Sequence, residues 1–173
     1  DLSGFSKNFS TGSIQTITQL PTQKYNGFEN IFTHHGNVTL SSTNITWGNK
    51  TYIIENGNLT LKWNITSPYN ILLVVKNGNV IIENNVTQID AIIINMWWKI
   101  IWEVTSTTNR LLVNGALYGN VADLLANRTY IKDRWEYIDV GTNINFTSKV
   151  FSSPPPLLSQ FLWEYMEGNK VPK

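Results

Sequence analysis

The sequence contains no cysteine, few charged residues and no long apolar run. Without cysteine, disulfides and thiolate metal sites are excluded. The 13 basic and 12 acidic residues almost cancel, so the composition gives no basic field for strong nucleic-acid binding. A membrane-spanning helix needs about 18 or more consecutive apolar residues, and the longest apolar stretch, residues 91–104, is interrupted by Asn95, Lys99 and Glu103. We therefore expect no nucleic-acid partner and no membrane span.

Residue patterns typical of catalysis are also scarce. The two histidines, His34 and His35, are adjacent, and neighbouring residues of a strand point to opposite faces. The densest acidic group is Asp133, Glu136 and Asp139, but strand alternation puts the first two on opposite faces, whereas a polysaccharide-cleaving site needs clustered carboxylates on one face. The glycines do not form a phosphate-binding loop. We predict no catalytic site, no metal site and no cofactor.

The polarity of the chain comes from uncharged side chains: 22 Asn, 18 Thr and 12 Ser. This composition is common on secreted surfaces. It also produces nine Asn-X-Ser/Thr sequons without proline, which are the acceptors of N-glycosylation in exported proteins. The predicted glycosylation sites are Asn8, Asn37, Asn44, Asn49, Asn58, Asn64, Asn85, Asn127 and Asn145. Duplication within a repeat also contributes to this number, and outward threonine is a good strand residue in its own right.

A short repeat organises the middle of the chain, with a period of about 21 residues. Gly36, Gly57 and Gly78 are equally spaced, and each is followed by Asn and then by alternating apolar and polar residues. Alternation with period two predicts strands with one buried face. A fixed period in this range is typical of a solenoid in which each repeat is one coil. We expect the three glycines to stack at a corner, with Leu59 and Leu61 in the core.

An antiparallel meander is the main alternative, because Asn-Gly is also a favoured hairpin turn. A meander predicts mirror-related strands around each turn. The repeat instead preserves the same order by translation, which favours parallel stacking. The predicted fold is therefore all-β, a right-handed parallel β-helix of five or six coils, each one repeat long.

Three regions follow from this pattern. Residues 1–27 are rich in Ser, Thr, Gly and Asn and are predicted to form an extended arm. Residues 28–150 form the solenoid, and the next corner glycine, Gly115, comes later than one period after Gly78, which implies an insertion near 96–110. Residues 151–173 are a proline-rich linker and an amphipathic helix, which we expect to cap the open end of the solenoid.

The segment "LLVNGALYGNV" and the Gly-Asn corners resemble those of secreted right-handed β-helix surface proteins of prokaryotes. They are similar, more loosely, to bactofilins, which polymerise end to end. The resemblance covers about residues 36–122. It implies a structural, self-assembling protein without an active site. The Trp-rich segment, the sequons and the weakly charged coils differ from the bactofilin pattern and disfavour a cytoskeletal role inside the cell.

The sequence therefore predicts a structural subunit of an extracellular cell-surface filament or sheath, which assembles with copies of itself by strand addition and apolar contacts. An archaeal or thermophilic surface suits the composition. A carbohydrate-binding adhesin or a viral surface protein is the alternative, and a polysaccharide-active enzyme is disfavoured. The predicted subunit contacts are the apolar residues of the arm and the tryptophans of the insertion: Phe5, Phe9, Ile14, Ile17, Trp97, Trp98 and Trp102.

Overall fold

The computed structural model describes residues 15–40, 48–102, 109–131, 138–148 and 152–168. It contains fifteen strands and two helices in this part of the chain. The strands are β1 (Thr16–Ile17), β2 (Gln23–Lys24), β3 (Ile31–His35), β4 (Asn37–Leu40), β5 (Lys50–Glu55), β6 (Leu59–Leu61), β7 (Ile71–Lys76), β8 (Val80–Ile82), β9 (Gln88–Ile89), β10 (Ile92–Trp102), β11 (Leu111–Asn114), β12 (Ala116–Asn120), β13 (Thr129–Ile131), β14 (Ile138–Val140) and β15 (Thr142–Asn145). The helices are α1 (Ala122–Asn127) and α2 (Leu158–Gly168).

The strands stack in parallel as a β-solenoid of about four turns. Sheet A consists of β1, β4, β6, β8 and the end of β10, and sheet B consists of β2, β3, β5, β7, the start of β10, and β12. Each coil passes first through sheet B and then through sheet A. It then enters sheet C (β9, β11 and β15), which Ile65 extends by a parallel bridge to Ile89. Among the described strands only β2–β3 and β13–β14 pair antiparallel. The predicted parallel solenoid is confirmed, with fewer coils than expected.

The interior of this tube is a column of aliphatic side chains repeated at the coil period. Val38 pairs in register with Leu59, Leu59 with Val80, and Val80 with Ile100. All four side chains are fully buried, as is Leu61. The alternation after each corner glycine therefore predicted the inward positions correctly, because strand period and burial coincide wherever only one face of the strand is covered.

The corner glycines stack as predicted. At the second and third corners the left-handed backbone belongs to the preceding asparagines, Asn56 (φ 54°) and Asn77 (φ 57°), whereas at the first corner Gly36 itself has a φ of 117°. Glycine is needed because a Cβ on Gly57 would lie 2.1 Å from the carbonyl carbon and oxygen of Gly36, and one on Gly78 would lie 1.9 Å from the oxygen of Gly57. The coils thus approach more closely at this corner than any side chain allows.

Sheet B is covered on both faces. Its outward side chains form a second apolar cluster with helix α2, in which Phe161 is 1% exposed. The outward members from the strands are Ile31, Ile53, Leu72, Val74, Ile92, Ile94, Met96 and Ala116. The helix is confirmed, but it lies across this outer face and not over the open end. The reason is that "ILLVV" and "AIII" are continuous apolar runs, which are typical of strands buried on two sides.

The short helix α1 covers part of the C-terminal end of the tube. Its Leu124 is fully buried in the core cluster, with Val121 and Leu117 packed against it. An ion pair of 3.0 Å between Lys99 and Asp123 links the helix to β10. The end of the solenoid, which the C-terminal helix was expected to cap, is thus partly covered by α1. The sequence pattern did not predict this short helix.

The insertion predicted near 96–110 does not begin at residue 96. Asn95 pairs with Val75 and Ile100 with Val80, so residues 96–99 replace residues 76–79 one for one. The chain lengthens later, between the pairing of Trp102 with Ile82 in sheet A and that of Leu112 with Gln88 in sheet C. The extra residues of this coil therefore lie between positions 102 and 112. Gly115 stacks on Ala91 at a different corner from Gly78, which explains its irregular spacing.

The predicted arm is partly built into the tube. β1 pairs in parallel with β4, with Thr16 opposite Asn37. β1 therefore lies one coil before β4 in the stack of sheet A. Ile17 and Leu20 pack against the core. β2 runs antiparallel to β3 at the first edge of sheet B. The remaining predicted contact residues of the arm, Phe5, Phe9 and Ile14, lie outside the described residues.

Candidate functional site

The last strand of sheet C, β15, carries an apolar side chain that the tube covers only in part. Ile144 pairs in register with Val113, whose side chain is fully buried in the core. Ile144 therefore occupies an inward position of the column, yet it is 41% exposed. Among the described strands, none pairs with β15 on the side away from β11. The end of sheet C therefore exposes core-type surface.

The strand edges at this end are also available. Within the described part of the chain, β15 pairs only with β11 and β12 only with β10. The hydroxyl oxygen of Thr142, beside the last layer of the core, is buried without a hydrogen-bond partner. Leu125 of α1 and Phe146 after β15 add exposed apolar area. We call the surface formed by β15 and the adjoining Phe146 the open end.

A second exposed apolar feature is the corner at Trp97 and Trp98, which are 60% and 54% exposed. These residues occupy the column of Asn77 and Gly78. The backbone N–H of Lys99 donates to Asn79 Oδ1 at 3.1 Å, just as the N–H of Asn79 donates to Asn58 Oδ1 at 2.8 Å. The corner is therefore part of the stack, and its indoles project from the surface of the tube.

Trp102 is not available as the predicted subunit contact. Its side chain is 6% exposed and belongs to the core. The guanidinium of Arg128 lies 3.8 Å from its ring centroid, a cation–π arrangement. Arg128 Nη2 donates to the carbonyl oxygens of Val86 (2.7 Å) and Asn109 (3.2 Å), and burial lowers the pKa of Arg128 to about 10. The contacts of Arg128 with Trp102, Val86 and Asn109 therefore connect successive coils inside the tube.

Several sequon asparagines serve as hydrogen-bonding rungs between coils. Asn37 Oδ1 accepts from the N–H of Asn58 at 2.9 Å, which continues the ladder through Asn58 and Asn79. Asn64 Oδ1 accepts from the N–H groups of Thr87 (2.6 Å) and Gln88 (3.1 Å). The spacing of these sequons at the coil period therefore has a structural cause that sequence reasoning only partly recognised.

The sequon asparagines differ in access to their amide nitrogens. Asn85, Asn127 and Asn145 are exposed, whereas Asn37, Asn49, Asn58 and Asn64 are half-buried. Asn49 Nδ2 donates to Ser153 O at 2.8 Å, and Asn64 Nδ2 donates to Thr87 Oγ1 at 2.9 Å. The remaining two sequons, Asn8 and Asn44, lie outside the described residues.

A polar cavity of about 240 Å³ lies at the corner between sheets C and B and is lined by Tyr69, Asn70 and Asp90 among others. The Asp90 carboxylate is already bonded. It accepts from Ser67 N–H (3.2 Å), Gln88 Nε2 (2.9 Å) and Asn114 Nδ2 (2.7 Å). Since these donors come from three successive coils, Asp90 fastens the corner and is not placed as an acid or base.

Only some of the residues considered for catalysis lie in the described part of the chain. Asp133 and Glu136 lie outside the described residues, and the backbone of Asp139 pairs with Tyr130 in the β13–β14 hairpin. His35 Nε2 lies 3.1 Å from Glu55 Oε2, and His34 Nε2 lies 3.5 Å from the carbonyl oxygen of Gln15. Across the described ranges, no group of three or more His, Asp or Glu residues could hold a metal ion.

Neither helix in the described part of the chain has the length and apolar character needed to cross a membrane. No family model, no curated protein sequence and no solved structure matches the chain.

Proposed function

We propose that this protein is a structural subunit of an extracellular, cell-surface filament or sheath, in which copies of the chain join through the open end. The observation that carries this proposal is the exposure of Ile144, an inward-facing position of the core column on β15, which pairs only with β11 among the described strands. Export and N-glycosylation, which the composition and the sequons favour, belong to the same proposal.

A solenoid is complete only where its last layer is covered. A strand added beside β15 supplies hydrogen-bond partners for the strand edge and covers Ile144 and Phe146. Strand addition of this kind draws affinity from main-chain hydrogen bonds and specificity from side-chain pockets. Joining the last coil of one copy to a segment of the next is a head-to-tail contact, which produces an open polymer unless the geometry closes a ring.

The strand donor in this proposal is the N-terminal segment of the next copy. Residues 1–14 precede β1, the first strand of sheet A, and include Phe5, Phe9 and Ile14 as apolar side chains. At the first edge of sheet B the antiparallel strand β2 covers β3, which protects that edge against pairing with further strands. The two ends of the tube are thus unlike, as a directional polymer requires.

The assembly prediction uses Ile144→Lys. A lysine at this inward position places a charge where the added strand packs, so we expect monomers where the unchanged protein forms polymers in sedimentation velocity and negative-stain electron microscopy. Because Ile144 is already 41% exposed, the unfolding midpoint should change little. Asn143→Lys is the matched control, since Asn143 is the exposed neighbour on the same strand, and it should still polymerise.

Deleting residues 1–14 tests the donor separately and leaves β1 intact. Folded monomers that no longer polymerise are expected, and adding a synthetic peptide of residues 1–14 should produce binding to the open end of the truncated protein. Polymers of normal length from both Ile144→Lys and the truncated protein would contradict the proposed contact.

The glycosylation prediction is that glycans are attached to Asn85, Asn127 and Asn145 and are absent from Asn49 and Asn64. The first three side chains are exposed, whereas the amide nitrogens of Asn49 and Asn64 bond within the fold. Intact-mass and glycopeptide analysis of protein from its native source checks this. A native mass equal to the 19.7 kDa of the bare chain would remove the argument for export through a glycosylating pathway.

A further inference from the structure

We propose that the corner at Trp97 and Trp98 binds a neutral polysaccharide, with pyranose rings stacked on the indoles. This site lies apart from the open end and does not depend on assembly. The three preceding corners of the same column are His35-Gly36, Asn56-Gly57 and Asn77-Gly78. Since the tube makes this corner without aromatic residues, the packing of the chain does not explain two indoles that are more than half exposed.

The backbone that carries the indoles is held by one buried amide. The Asn95 side chain, 1% exposed, donates from Nδ2 to the carbonyl oxygens of Gly78 (3.2 Å) and Lys99 (3.0 Å). Its Oδ1 accepts from the N–H of Trp98 at 3.1 Å. All three of these hydrogen bonds fix the corner. A site fixed before binding loses little conformational entropy when a ligand arrives.

The chemistry around the indoles matches sugars. Exposed Asn77 and Asn56 lie below the indoles in the same column, and Asn77 Nδ2 donates to Asn56 Oδ1 at 3.1 Å. Amides offer both donors and acceptors, as the hydroxyl groups at the edge of a pyranose ring require, whereas the C–H face of the ring is apolar and suits an indole. Aromatic walls with a few convergent polar groups are typical of small-molecule sites.

The charges near this corner favour a neutral ligand. Lys99 forms an ion pair with Asp123 at 3.0 Å, and Lys76 lies 4.0 Å from Glu55. An anionic membrane or an acidic polysaccharide is attracted by clusters of lysine and arginine that are free to bind it. Here both neighbouring lysines already have carboxylate partners.

The arrangement also favours a chain polymer over a single sugar. The amides of Asn56 and Asn77 belong to consecutive coils, so they are spaced by about 4.8 Å along the tube axis. The indoles occupy the next coil of the same column. A linear polysaccharide lying along the axis can therefore stack on the indoles and hydrogen-bond to the amides at the same time.

Isothermal titration calorimetry of the full chain with cellohexaose, chitohexaose and mannohexaose tests the proposal, with hexagalacturonate as the charged comparison. At least one neutral hexasaccharide should bind, and Trp97→Ala or Trp98→Ala should weaken that binding at least tenfold, with Trp98→Phe retaining part of it. Trp163→Ala is the matched control, because Trp163 is 65% exposed on α2, and it should leave binding unchanged. Since all three side chains are exposed, the unfolding midpoints should agree.

Three results overturn this inference. The first is the absence of binding to every neutral hexasaccharide at millimolar concentration. The second is binding that Trp97→Ala and Trp98→Ala leave unchanged, or that hexagalacturonate shows equally. The third is loss of polymerisation in the two tryptophan variants without any sugar binding by the unchanged protein, which would assign the indoles to a contact between copies of the chain.

Discussion

Gly57→Ala is expected to unfold the solenoid or to destabilise it by more than about 4 kcal/mol, a size of effect reserved for severe steric or core defects. The added methyl carbon would lie 2.1 Å from the carbonyl carbon and oxygen of Gly36 and 2.6 Å from the amide nitrogen of Asn37. All of these atoms are backbone, so rotation of a side chain cannot relieve the clash. The coils that contain Gly36 and Gly57 must therefore separate, which breaks the hydrogen bonds between them.

Gly48→Ala is the matched control for this prediction. Gly48 has a φ of 73°, but nothing lies within 4 Å of the position its Cβ would take. The change therefore adds only the cost of a left-handed alanine, about 1–2 kcal/mol. Chemical denaturation followed by far-UV circular dichroism measures both variants. Equal unfolding free energies for the two would contradict the close approach of the coils.

Phe161→Ala is expected to lower the unfolding free energy by about 3 kcal/mol, the usual range for a buried phenylalanine being about 3–5 kcal/mol. The ring is 1% exposed between α2 and the outer face of sheet B, and the ammonium group of Lys76 lies 5.1 Å from its centroid. Removing the ring leaves a cavity against a largely apolar sheet face. Partial detachment of α2 should expose that face and increase aggregation, which light scattering measures.

Trp163→Ala on the same helix is the control for Phe161→Ala. Trp163 is a larger side chain, but it is 65% exposed, so its removal should change the unfolding free energy by less than about 0.5 kcal/mol. A larger loss from Trp163 than from Phe161 would mean that the opposite face of α2 packs on the tube.

The equal spacing of the corner glycines was sufficient to predict the parallel stack, the glycine column and the inward positions. Each of these depends on local rules that repeat: strand alternation, a corner at a fixed interval and one buried face. The prediction of the coil spacing failed at Gly115, because an Asn-Gly pair can occur at more than one corner of the coil. Gly115 follows Asn as Gly78 does, but it stacks on Ala91, and the spacing alone could not distinguish the two corners.

The candidate surfaces were predictable only in part. Trp97 and Trp98 were expected to be exposed contacts, whereas Trp102 was expected beside them and lies in the core against Arg128. Strand alternation cannot predict the burial of Trp102, because the corner fixed by Asn95 interrupts the alternation. Along β10, the side chains that point inward have odd numbers up to Asn95 and even numbers from Ile100 onwards. The C-terminal helix was expected to cap the end of the solenoid, so the exposure of Ile144 was not predicted. That exposure depends on what covers the strand and not on the strand's own sequence.

The coil can be predicted from the sequence alone, because backbone stacking distance, strand period and the lack of space for a Cβ all act between residues one coil apart and appear directly as a repeat. The elements that cover the coils become apparent only in the folded chain. Helix α2 lies on sheet B because both faces of that sheet are apolar, and α1 with Arg128 occupies part of the end while Ile144 is left open. Such contacts join segments with no common period, so their energy depends on shape and burial that exist only after the chain has folded.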